Sequence, residues 1–205
     1  MSRRLSSIAF ALALAACSPG ADEGAATAQR PTAAAPAVRP APAVSAEPAQ
    51  AEPPALALAG EGLMLFDRES GSSRTLGFGI WGEQLLDALA FRGPPVGGKL
   101  DECGAGPLQQ ASWDDGLAVY FQDGKFVGWA AGGGNSKPGG ERLANAAGIG
   151  PGSTRAELDS ALVAKVFEST LGTEFAAGDL FGILDGTSKA ARISHMWAGI
   201  SCNFR

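Results

Sequence analysis

The 205-residue chain has a single histidine, a single tyrosine and only three cysteines. One histidine cannot furnish a two-histidine metal set. No Gly-x-Ser-x-Gly nucleophile elbow and no paired acidic motif is present, so hydrolytic chemistry has little to draw on. Acid neighbours such as Asp101-Glu102 and Asp114-Asp115 read as turn-forming, solvated carboxylates. His195, between Ile193 and Trp197, reads as a structural or surface residue in a strand. No cofactor or metal is expected. Positive charge is also scarce: 16 Lys and Arg stand against 21 Asp and Glu, a net charge of −5. Without a basic cluster, a nucleic-acid partner is not expected. The longest apolar run is about 12 residues, short of the roughly 20 that a spanning helix needs.

That run forms the start of the chain. Arg3 and Arg4 precede an apolar stretch from Leu5, which ends at Leu14-Ala15-Ala16-Cys17. A positive start, a short apolar middle and small residues before the cut make a secretory signal over residues 1–16. Leu14-Ala15-Ala16-Cys17 resembles the lipobox of bacterial lipoproteins. That resemblance implies diacylglycerol on the Cys17 sulfur, an acylated new N-terminus and a partner in the lipid bilayer. Each buried methylene contributes about 0.8 kcal/mol, so several acyl chains on one residue hold firmly where one would not. Ser18 follows the cysteine in place of an inner-membrane-retaining Asp. By the same resemblance the expected place is the periplasmic face of the outer membrane.

Residues 17–57 read as the lipidated cysteine and a tether. Eight of the chain's 13 prolines fall there among alanines. Proline removes donors and disfavours helix before it, and so few large apolar groups cannot offset ordering entropy. The remaining segment, 58–205, is one domain's worth of chain. With Cys17 assigned to the anchor, Cys103 and Cys202 make an even pair in an oxidising compartment, and a disulfide between them is expected. It would close about 100 residues, which the chain-entropy model values at about 4.7 kcal/mol. The alternative, Cys103 as a nucleophile served by His195, lacks an orienting third group.

Within the domain, Gly62 to Asp67 reads as a strand. Leu85, Leu86, Leu89 and Ala90 fall at helical spacing between Trp81 and Phe91, and Gly93-Pro94-Pro95 stops that helix. Residues 97–106 read as loop, and Leu108 to Trp113 as strand. Asp123-Gly124 lies between two β-rich runs and predicts a two-residue hairpin turn. The simple register pairs Phe121 with Phe126 and Tyr120 with Val127. Leu117, Val119, Phe121 and Phe126 then share one face, and Tyr120, Val127 and Trp129 the other. The glycine-rich run 132–140 lacks the ending of a phosphate loop. In Gly148-Ile-Gly-Pro-Gly-Ser-Thr-Arg-Ala-Glu157, Thr154 and Glu157 form a capping box. Leu158, Leu162, Val163, Val166 and Phe167 would be the buried stripe of the helix it starts. Strands are expected at Leu180 to Leu184 and Arg192 to Cys202.

Helix then hairpin thus occurs twice, a tandem repeat with modules at about 58–132 and 143–205. This order, with Gly-Pro-Gly-Ser-Thr-Arg-Ala-Glu-Leu at 150–158, resembles the SmpA/OmlA-type (BamE) outer-membrane lipoproteins and the modules of β-lactamase inhibitory protein. The resemblance implies an α+β fold: two helix-plus-antiparallel-hairpin modules, helices on one sheet face and the other face free to bind protein.

The expected function is a membrane-anchored, non-catalytic protein-interaction domain, serving envelope assembly or acting as an inhibitor-like binder. Tyr120, Val127 and Trp129 are its candidate binding face, because aromatics on an uncovered sheet face are what an interface core shows. Two alternatives stand beside it: an envelope hydrolase, or a small-ligand carrier marked by an enclosed pocket.

Overall fold

A computed structural model describes residues 52–132 and 142–202. The signal, Cys17, most of the tether and nearly all of the glycine-rich run 132–140 lie outside the described residues. The domain is mostly β. Three short strands, β1 (Ala55–Ala59), β2 (Gly62–Phe66) and β3 (Ser73–Gly77), form an antiparallel sheet in sequence order. Helix α1 (Gly82–Ala88) follows, then β4 (Val96–Leu100), β5 (Leu108–Ser112), β6 (Leu117–Gln122) and β7 (Lys125–Gly132). Helix α2 (Arg155–Ala161) precedes β8 (Lys165–Ser169), β9 (Gly172–Ala177), β10 (Leu180–Leu184) and β11 (Ile193–Gly199). These eight strands make one sheet in the order β4-β5-β6-β7-β11-β10-β9-β8, with every pairing antiparallel.

The expected α+β fold of two helix-plus-hairpin modules is therefore not the observed one. Among the described residues helix is confined to two seven-residue segments and one 3-10 turn, while strands build both sheets. Two misread stretches account for much of the difference. Residues 97–106, read as loop for their glycines, contain β4, which pairs residue by residue with β5. The supposed helical stripe of α2 ends early: Leu162 is already extended (ψ 150°), Val163 is 98% exposed, and Val166 and Phe167 belong to β8. There Val166 pairs with Phe175 and Phe167 with Glu174. β-branched and aromatic side chains suit a pleated surface, and the β9 partner supplies the ladder bonds that a continued helix would have supplied itself. The tether boundary also moves, since β1 begins at Ala55 and already buries Leu56 and Ala57.

One contiguous core joins these layers. Leu58, Leu63 and Leu76 from the small sheet meet Leu85 and Leu89 of the first helical region and Leu158 of α2. The large sheet supplies Leu117, Val119, Phe126, Trp129, Phe175 and Met196 to the same cluster. Trp129, fully buried, donates its indole N–H to the Ala59 carbonyl at 2.9 Å, and Leu58 donates its backbone N–H to Ala144 at 2.8 Å. The small sheet is thus pinned to the face that carries the helices. The capping box of α2 is present: Thr154 accepts from the Glu157 N–H at 3.2 Å, and Glu157 accepts from the Thr154 N–H at 2.6 Å.

Candidate binding groove

The hairpin determines what each aromatic touches. Asp123 and Gly124 both take positive φ (52° and 74°), as the two-residue turn requires. Gln122 pairs with Lys125 and Phe121 with Phe126 as the sequence suggests. A bulge then shifts the register, so Tyr120 lies opposite Gly128, and Val119 opposite Trp129. One extra residue on β7 moves Trp129 to the core face. Tyr120 stays on the other face but is only 7% exposed. It packs with Cys103 and Leu108, and Leu100, Ala118, Val127, Ala130 and Cys202 close around them. The loop after β4 and the segment after β11 form this cover. Tyr120, Val127 and Trp129 are accordingly not an open binding face: two serve a small second core, and the third serves the main one.

Cys103 and Cys202 do come together in that second core, but as two thiols rather than the expected disulfide, and the sulfurs are not at bonding distance. Desolvation, then the hydrogen bond and charge of Cys103, push the Cys202 thiol up to about 11. Tyr120 is pushed up as well, chiefly by burial and then by the two cysteines. A thiol whose pKa is raised on folding keeps its proton, so it favours the fold at neutral pH. That contribution is lost as pH rises from the ordinary 9.0 through about 11. At pH 8, iodoacetamide should therefore alkylate Cys202 several times more slowly in the folded chain than in urea, because only the thiolate reacts. Equal rates in the two states would show that the second core does not shield the pair.

The remaining sequence candidates scatter. Asp115 forms an ion pair with Arg92, whose guanidinium also lies 5.6 Å from the Trp113 ring centroid. Asp101 and Glu102 are exposed at the turn after β4, and His195 is exposed on β11. Among the described residues no cluster of three or more His, Cys, Asp or Glu side chains is placed to hold a metal.

A concave site does form elsewhere. A groove of about 620 Å³ lies between α1 and the outer strands β4 and β5. Gly82, Glu83 and Leu86 form its helix wall. Gly97, Gly98 and Lys99 of β4 face them, with Gln109, Gln110 and Ala111 of β5 alongside and Phe121 beneath. Gly82 is what brings the helix down onto that aromatic, because a Cβ there would lie 2.9 Å from the Phe121 ring. One exposed large apolar side chain adjoins the groove: Trp81, 51% exposed, beside Gly82. Lys125 Nζ lies 5.3 Å from the Trp81 ring centroid and steadies that indole. The groove's volume falls in the range of ordinary ligand pockets, and its surface mixes apolar floor with the Gln109 amide and one charge of each sign.

The signal for this site in the sequence is Val96-Gly97-Gly98-Lys99, a strand with no side chain at two successive positions. A glycine pair in a strand marks close approach by another group. No protein-family model matches the chain, and no curated protein or solved structure matches it either.

Proposed function

We propose that this chain is an envelope lipoprotein, anchored through Cys17, whose β-rich domain binds another protein without catalysing a reaction. The observation that carries the binding reading is the groove beside α1, floored by Phe121 and with Trp81 exposed at its margin. Exposed apolar side chains gathered at a concavity are what an interaction site presents, whereas scattered ones mean little. The lipobox supports the anchor, and the proline-rich stretch after it would let the domain reach about 120 Å from the bilayer if fully extended. A carrier of small ligands is less well supported, because the site is an open groove bordered by aromatic and aliphatic side chains rather than an enclosed cavity.

A photo-crosslinking amino acid placed at Trp81 in intact envelopes tests this reading, with the same group at Val163 as the exposed control. A discrete adduct from position 81 alone, in a chain found in the membrane fraction and released from it by Cys17→Ser, is the expected result. Equal adducts from both positions, or none from either, would argue against a groove-centred binding domain. Retention of Cys17→Ser in the membrane would remove the anchor.

A further inference from the structure

The two halves of the large sheet, each a helix followed by a four-stranded meander, can be superimposed residue by residue through three backbone hydrogen bonds. In the first half Gly79 donates to Phe126, Phe126 to Ile80 and Gly82 to Gly124, at 2.7, 2.9 and 2.8 Å. In the second half Gly152 donates to Ile193, Ile193 to Ser153 and Arg155 to Ala191, at 2.7, 2.8 and 2.7 Å. Each helix-side residue of the second set lies 73 positions after its counterpart, and each strand-side residue 67. The same shift carries α1 onto α2 and its buried Leu85 onto the buried Leu158. Position for position, the groove residues Gly82, Glu83 and Leu86 correspond to Arg155, Ala156 and Asp159.

In the second half each of those three positions is bonded to another part of the chain. The β6–β7 turn is the two residues Asp123-Gly124, whereas the β10–β11 connection runs from Asp185 to Arg192 and lies over α2. Arg155 Nη1 donates to the Thr187 carbonyl at 2.6 Å, and the Ala156 N–H donates to the Lys189 carbonyl at 2.9 Å. Asp159 pairs with the Lys189 ammonium. An irregular, turning piece of polypeptide thus lies along the helix positions in the second half that form the groove's helix wall in the first.

We propose that the groove beside α1 receives a short, turning peptide segment of a partner protein, lying as residues 187–189 lie against α2. This rests on the reading of the domain as a binding module and names its ligand. The differences between the halves specify that peptide. Leu86 stands where Asp159 meets Lys189, so the segment carries an apolar side chain there, seated over Phe121 and Ala111. Gly97 leaves room for its main chain against β4, and Gln109, opposite Phe121 in the ladder, offers an amide to its peptide groups. Glu83 on the helix wall and Lys99 on the strand wall favour a basic residue toward the first and an acidic one toward the second.

The test is selection from a random heptapeptide display library on the full chain carrying Cys17→Ser, followed by calorimetry with resynthesised peptides. Peptides with a central apolar residue should be enriched, and their affinity should fall at least tenfold in a plugged variant. That variant replaces Asp123-Gly124 with the sequence of residues 185–192 and adds Gly82→Arg, Glu83→Ala and Leu86→Asp. Because it changes several positions, Lys99→Glu at the exposed strand wall serves as a second variant and should also weaken peptides bearing the acidic residue. Peptides that bind both variants as they bind wild type would overturn the inference and the groove with it. Failure to enrich any peptide while position 81 still crosslinks a partner would overturn the peptide alone.

Discussion

Trp129→Ala should lower the stability of the domain by about 3–5 kcal/mol, the usual cost of truncating a buried large aromatic. Trp129 is fully buried, and its ring joins the two sheets, because the indole N–H is bonded to the Ala59 carbonyl. The cavity left behind opens at the junction of the small sheet with the large one, where neither layer can collapse onto the other without moving its strands. For a domain of this size such a loss corresponds to a fall in Tm of about 10 °C or more. Trp129→Phe separates the two contributions. It keeps most of the apolar volume but leaves the Ala59 carbonyl without its donor, a cost of about 1–3 kcal/mol. Thermal unfolding followed by near-ultraviolet dichroism would measure both. Wild-type stability in Trp129→Ala would mean that the small sheet is not held by this residue.

Gly128→Ala should damage the fold comparably through the opposite fault, too much volume in place of too little. Gly128 lies where β7 pairs with β11, the seam between the two four-stranded halves. A Cβ added there would lie 1.9 Å from the Ile200 carbonyl oxygen and 2.7 Å from its nitrogen. These are backbone atoms, held in place by the Ile200 N–H bond to the Val127 carbonyl at 2.8 Å, so no side-chain rotation relieves the overlap. Overpacking typically costs 1–3 kcal/mol, and a clash with fixed backbone at a central seam belongs at about the upper end or beyond. Gly97→Ala is the control, since its methyl meets nothing closer than the Gln110 oxygen at 4.0 Å. Urea unfolding of the two variants should differ by about 3 kcal/mol. Equal midpoints would show that the seam can part at little cost.

Gly128 also marks the place where the aromatic face departs from simple alternation. Straight alternation along Leu117 to Trp129 puts Tyr120, Val127 and Trp129 together, and the only departure from it is the single bulge beside Gly128. A glycine inside a strand signals a bulge or a close neighbour, but it does not say which strand will approach or which way the register will slip. Here the neighbour is the last strand of the domain, some 70 residues away in the chain.

What the sequence determined by itself is local. The turn at Asp123-Gly124, the capping box of Thr154 and Glu157, the stop at Gly93-Pro94-Pro95 and the strand at Leu180–Leu184 each follow from the chemistry of a few adjacent residues. Cysteine arithmetic led to a disulfide that the structure does not show: Cys103 and Cys202 share the second core as free thiols. Tertiary structure decided the rest. Val96–Leu100, glycine-rich and exposed, is a strand only because β5 pairs with it, and Lys165–Ser169 leaves the helix pattern only because β9 is there to receive it. The groove was invisible for the same reason. It depends on one half of the sheet having a two-residue turn where the other has a long loop, and a single chain read in order does not show which places its own segments will fill.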